Sequence, residues 1–380
     1  MFYNPSKIRQ RKFVVKPYLA SIEYIRGVSM LGVVAIHTGS QYLLNPTPNV
    51  HLVALFEIVS RFSVPIFFFV SAFGLFYRMD INAPFEFGKF LRRRFKAVLI
   101  PYLLWSTFYF VHDNWFHGYE LLPDFDYGAE ILCFGLAKYH LYFLVILIWF
   151  YLLMPLWIFL VRRMTPAKLL LLLILQIAFD WWSSYSPQVW QLVNALPEGS
   201  WLQLALKWRL NWFVGHYAFI FVLGGVLALH SEKFFAWLSS HKKIVNATFF
   251  VALTTLLGYY YALIFVRNLS PLEAVNTAHQ LSPAGIFYTI AASIFLFALF
   301  QFGKLNSPTR KLLSLLGKNS YFVYLAHPLA ITYLSLGLGK LNLVMTAPNA
   351  LIFYVATVGV TLTAAIIVNR MRQFFRLNPQ

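Results

Sequence analysis

One cysteine, Cys133, stands in 380 residues. No disulfide can close within such a chain, and thiol content says nothing of its redox compartment. Charge is nearly as scarce: Asp, Glu, Lys and Arg together make 12% of the sequence, and only 13 residues are acidic. With 59% of residues hydrophobic and 19% aromatic, a water-facing domain would lack the polar side chains to cover its surface. Phosphate-loop and zinc-ligand spacings are missing, and no serine lies in a nucleophile-elbow setting. No internal repeat, low-complexity tract or appended soluble domain interrupts the chain, which reads as one domain over 1–380. What remains is an all-α, polytopic bundle built for lipid.

The formal net charge of +18 raises nucleic acid as a partner, but its distribution points elsewhere. Basic residues come in short clusters between apolar runs of roughly 20 residues, the length that crosses the hydrocarbon of a bilayer as helix. Ten spans are expected, at about 21–44, 52–77, 97–112, 139–161, 168–182, 210–230, 244–266, 283–303, 319–338 and 347–369. With the amino terminus in the cytoplasm, 24 of 31 Lys and Arg fall on the inner side and five outside, leaving Arg26 and Arg61 within spans. That asymmetry predicts a multi-pass protein of the plasma or inner membrane with both termini, 1–20 and 370–380, in the cytoplasm. The stretch 113–138, with Asp113, Glu120, Asp124, Asp126 and Glu130, reads as a solvated outer loop.

The first span, "YIRGVSMLGVVAIHTG", carries Arg26 and His37. A signal peptide rarely holds an arginine and a histidine inside its apolar run, and further spans follow. An ionisable residue at mid-membrane costs about 2.5 kcal/mol or more, so it faces a protein interior or a wet cavity. Eleven residues at ~100° each place the two side chains within about 20° of one another, some 16 Å apart along one helix face. Taken singly, Arg26 also fits snorkelling to the inner headgroups, and His37 a packed histidine bonded to a neighbouring helix.

Six stretches occur in order: "YIRGVSMLGVVAIHTG", "SRFSVPIFFFVSAFGLF", "KFLRRRFKAVLIPYLLW", "HLYFLVILIWFYLLMPL", "FIFVLGGVL" and "YFVYLAHPL". Together they resemble the acyltransferase family 3 membrane proteins over nearly the whole chain. The pattern departs at Glu23, where Asp is usual, at Ala72, where Gly usually follows the serine at Ser71, and at Tyr142, where Trp is common. The resemblance implies a ten-span enzyme that takes an acyl group, usually acetyl, from cytoplasmic acyl-CoA and moves it to a hydroxyl of an extracytoplasmic glycan or glycolipid. Family members linked to intercellular adhesin have been described as exporters, so a glycan transporter is the alternative. Some members pass the acyl group to a fused extracytoplasmic domain; here direct transfer, or hand-over to a separate extracytoplasmic partner, is expected.

The residues suit that chemistry. Acyl transfer to an alcohol needs a base for the hydroxyl proton and a group that stabilises the oxyanion. His37 is the expected base, or the transient acyl carrier, and Arg26 either positions the donor or orients its helix through an ion pair. Arg92, Arg93 and Arg94, with Lys89 and Lys96, form the candidate clamp for the phosphates of acetyl-CoA, although topology anchoring also accounts for a basic loop. Glu23, Ser71, His140, Tyr142, Asp180 and His327 are candidate substrate or pore-lining residues. Asp180 precedes "WWSSY", which reads either as a sugar platform or as an interfacial aromatic belt. His327 before Pro328 either lines the channel or bonds a carbonyl freed by the proline. No metal is expected and no nucleic-acid partner; the bilayer and a carbohydrate acceptor are the expected partners.

Overall fold

The computed structural model describes residues 16–121 and 123–377, and among these it holds helices and turns but no strand. The chain runs through α1 (Ala20–Tyr42), α2 (Val50–Val53), α3 (Ser63–Arg78), α4 (Phe87–Arg94), α5 (Ile100–His117) and α6 (Phe125–Phe134). It continues through α7 (Tyr142–Leu152), α8 (Met154–Arg163), α9 (Pro166–Tyr185), α10 (Pro187–Ala195), α11 (Trp201–Lys207) and α12 (Arg209–Trp212). It closes with α13 (Ala218–Leu229), α14 (Ser231–Ser240), α15 (Lys242–Phe265), α16 (Pro271–Thr277), α17 (Pro283–Phe302), α18 (Ser307–Lys340) and α19 (Ala347–Leu377). Two π-helical turns, Ala54–Ile58 and Phe95–Leu99, interrupt the second and third expected spans.

Local sequence sets many of the boundaries. Thr165 and Ser282 each cap a helix whose first turn holds a proline, and Asn306 does the same for α18. Ser270 and Glu273 form a reciprocal capping box on α16. Gly118 and Gly135 end α5 and α6 in the left-handed region, at φ 71° in both cases.

Six helical stretches among the described residues are long and apolar enough to cross a membrane: Val50–Arg78, α9, α15, α17, α18 and Ala347–Phe374. The number reaches eight if each of two bent pairs is one span, α7 with α8 at 68° and Val214–Leu229 with α14 at 93°. Expectation was ten. The other two expected segments are filled by α1 and α5, whose polar side chains, among them Glu23, Arg26, His37, His112 and Asp113, dilute their apolar character. Pro155 in the first turn of α8 accompanies the first bend. At the second, α14 turns aside at His230, in a stretch expected to be an inner loop.

α1 sits at the centre, packed along α18 and α3 and touching α17 and α19. Small residues permit that approach, as in other membrane bundles. A Cβ on Gly27 would lie 2.6 Å from the Leu313 carbonyl oxygen, and one on Gly317 2.1 Å from that of Glu23. The pair therefore brings α1 and α18 into backbone contact near their basic ends. Phe68, Phe69 and Phe73 of α3 are fully buried, Phe68 packing against Phe150 and the other two against Phe297, which fixes α3 between α7 and α17.

Candidate active site

At the end of the bundle that gathers the basic residues, a cavity of about 830 Å³ opens between α1, α3, α4, α7, α8 and α18. Its wall includes Arg26, Arg78, Arg93, Arg94, Arg162 and Lys318, together with Glu23 and Ser71. Five of the expected site residues of the first three spans thus meet in one place: Glu23, Arg26, Ser71, Arg93 and Arg94. Arg94 lies between two rings, its guanidinium carbon 5.4 Å from the centroids of both Phe90 and Tyr151. Tyr151 also faces Arg26, so one tyrosine stands between two guanidinium groups. Glu23 is held by Tyr18 and Ser314, with Lys318 at 3.8 Å. Arg92, Lys89 and Lys96 are exposed and do not line the cavity; Lys89 is paired with Glu86 at 3.0 Å. Three of the five expected clamp residues thus lie off the cavity wall, because consecutive helical residues point in different directions. Arg78, Arg162 and Lys318 were legible only as topology charges.

Three turns further along α1, His37 is half-buried, and two other expected histidines join it. The His37 and His327 rings stack at 5.1 Å between centroids, and His140 meets His327 edge-on at 5.1 Å. On its other side His37 packs against Tyr139 at 4.6 Å. Pro328 has no N–H to donate to the carbonyl of Tyr324, and His327 fills that place: its Nδ1 lies 2.7 Å from the Tyr324 oxygen. Since a carbonyl only accepts, Nδ1 carries the proton and Nε2 keeps its lone pair. Nε2 of His327 and both ring nitrogens of His140 are buried without a hydrogen-bond partner among the described residues. Of the two expectations for His327, the contact with the freed carbonyl is present, and the buried ring also stacks on His37. His37 does not line the cavity at the basic end.

Asp180 takes a different partner. It is fully buried, and its Oδ1 lies 2.6 Å from Nδ1 of His216 while Oδ2 accepts from Gln176 at 2.8 Å. Ser183 Oγ stands 3.5 Å from His216 Nε2 and accepts from Arg209 Nε at 3.1 Å. This network ties α9 to the start of α13, and the histidine beside Asp180 is His216 rather than His37. Trp181 and Trp182 point outward, 53% and 41% exposed. Between the two polar groups lies Arg61, paired with Glu57 at 3.2 Å and donating to the Val275 carbonyl at 3.1 Å. Glu57 also accepts from Ser40 of α1 at 2.8 Å. The π turn directs Glu57 toward α1, a use of π-bulges common at functional sites. Tyr142 lies beside Tyr217 and within the field of Arg61. In the connection before α17, burial, with Arg61 and His216 near, pushes the His279 imidazole down to about 3. Sequence reasoning noted Arg61 only as an intramembrane charge and overlooked Glu57, His216 and Arg209.

A helical membrane bundle with a cationic cavity at one end and buried imidazoles beyond it has parts suited to group transfer. The chain matches the acyltransferase family 3 model, described as an acyltransferase domain, over residues 19–370, and it belongs to that family. The family match and the apolar helices together support a membrane protein that carries an acyltransferase domain. A 125-residue stretch is 30% identical to an amino-acid racemase of Enterococcus faecalis, covering 33% of this chain and 16% of that protein. With so small a share of the racemase matched, its named activity is not carried over. No solved structure matches the chain.

Proposed function

We propose that the protein transfers an acyl group, acetyl in the first instance, from cytoplasmic acyl-CoA to a hydroxyl of an extracytoplasmic glycan or glycolipid at the cell membrane. The observation that carries this reading is the stripe on α1: Arg26 lines the cationic cavity, and His37 stands on the same face three turns on, stacked on His327, whose ring in turn meets His140. Arg93 and Arg94 suit the phosphates of the donor, for which guanidinium forks are well shaped. The flexible pantetheine arm then brings the thioester along α1 toward His37. His37 takes the proton of the acceptor hydroxyl as the new C–O bond forms and the C–S bond breaks. CoA leaves as thiolate and is protonated by the imidazolium. An acyl-imidazole formed first on His37 would give the same products in two displacements. Glu57, Arg61 and Ser40 tie the π turn that precedes α3 to α1, one turn from that ring.

Substituting His37→Ala tests this directly. In cells lacking the native protein, the variant should reach the membrane in normal amount, leave glycan export intact and abolish acyl incorporation, read by mass spectrometry of surface carbohydrate. Retained acylation with lost export would turn the reading to the transporter.

A further inference from the structure

We propose that a groove at the end of the bundle away from the cationic cavity binds the carbohydrate acceptor, with the Tyr139 ring as its platform; this rests on the acyl-transfer reading above. The groove encloses about 640 Å³, within the ~300–1,000 Å³ of small-molecule sites. Gln41, Lys138, Tyr139, Thr332, Ser335 and Lys340 are among the residues that wall it. From Lys318, at the cationic cavity, to Gly339 in this groove, α18 rises about 31 Å, the thickness of the hydrocarbon core.

The three elements that supply the histidines also supply these walls. On α1, Gln41 follows His37 by one turn on the same face; on α18, Ile331 and Ser335 follow His327 by one and two turns. Tyr139 immediately precedes His140. The groove is therefore the outward continuation of the imidazole cluster, and Tyr139 belongs to both: it touches His37 and is 46% exposed. Its rim is built rather than loose. Lys138 is held by Asp113 at 2.7 Å, Asp113 by His112 at 2.8 Å, and His112 by the Tyr333 hydroxyl at 3.0 Å. Free hydrogen-bonding capacity remains inside it. Ser335 Oγ is buried without a partner, and Lys340 has no carboxylate partner, among the described residues. An aromatic face flanked by hydroxyl, amide and ammonium groups matches a sugar ring, whose C–H faces are apolar and whose edges carry hydroxyls.

Gly339 offers a clean block. It lines the groove, and a Cβ there meets nothing within 4 Å, so Gly339→Trp fills the groove without forcing helices apart. Gly337 is equally open but lines no groove wall, which makes Gly337→Trp the matched control. The full-length variants are produced in cells deleted for the native protein; acyl content of envelope carbohydrate is measured by mass spectrometry, and radiolabelled acetyl-CoA binding on purified protein. Gly339→Trp is expected to lower acyl content at least about tenfold while binding acetyl-CoA within about twofold of the unmodified protein, with Gly337→Trp matching it in both. Normal acylation by Gly339→Trp, or loss of acetyl-CoA binding along with acylation, overturns the groove assignment. Absence of acyl transfer by the unmodified protein itself overturns the acyl-transfer reading instead, and the assignment with it.

Discussion

Gly317→Ala isolates the contact on which the site geometry depends. The added methyl carbon would sit 2.1 Å from the Glu23 carbonyl oxygen and 2.8 Å from its Cγ, where ordinary contact begins at 3.4 Å. Backbone on α1 cannot rotate out of the way as a side chain can, so α1 and α18 must part by more than about an ångström. Overpacking of this kind costs ~1–3 kcal/mol. These are the same two helices that bring His37 and His327 together, and a misplacement of about 1 Å at reacting groups costs ~10²-fold in rate. Thermal unfolding in detergent should show a lowered midpoint, and acyl incorporation should fall by at least about tenfold at matched protein level. Gly337→Ala, on the same helix with open space around its Cβ, should change neither. If Gly317→Ala proves indistinguishable from the unmodified protein in both assays, the close approach is not what sets the site, and the reasoning fails.

Two further outcomes follow from the cavity and from the Asp180 network. Arg94→Ala removes a guanidinium that lines the cavity, and with hydrogen bonds to charged groups worth ~1.5–3 kcal/mol the KM for acetyl-CoA should rise about 10- to 100-fold; Arg92→Ala, which faces away, should change it far less. Steady-state kinetics across donor concentration reads both, and equal effects would dissolve the distinction between the two arginines. Asp180→Ala leaves Nδ1 of His216 without its buried acceptor, at ~1–3 kcal/mol, while the Gln176 amide keeps the His216 carbonyl. The unfolding midpoint should drop while the folded fraction keeps its turnover; lost turnover at unchanged stability would instead give Asp180 a direct part in the reaction.

How far the sequence carried the reading depended on whether a relationship lay within one helix. Arg26 and His37 share α1, so helical periodicity alone put them on one face, and the structure places Arg26 on a cavity wall and His37 against two rings. Relations between helices were not readable that way. His327 and His37 are separated by 290 positions and meet only because Gly27 and Gly317 let α1 and α18 touch. Asp180 was legible as a candidate lining residue but its partner was not: the histidine is His216, supplied by a 3₁₀ turn whose position depends on the fold of α9 against α13. Apolar runs marked where helices lie but not their bends: α7–α8 reads as one span in composition and turns by 68°. The arginine run at 92–94 shows the same limit, since its charge was legible while the direction of each guanidinium depended on helical phase.

The scarcity of cysteine leaves one thiol, that of Cys133, exposed near the end of α6. The native chain is thus already a single-label protein. A membrane-impermeant maleimide added to intact cells would tag it only if that stretch looks outward, so the sidedness of the whole bundle can be read from one residue, with no engineered handle to disturb it.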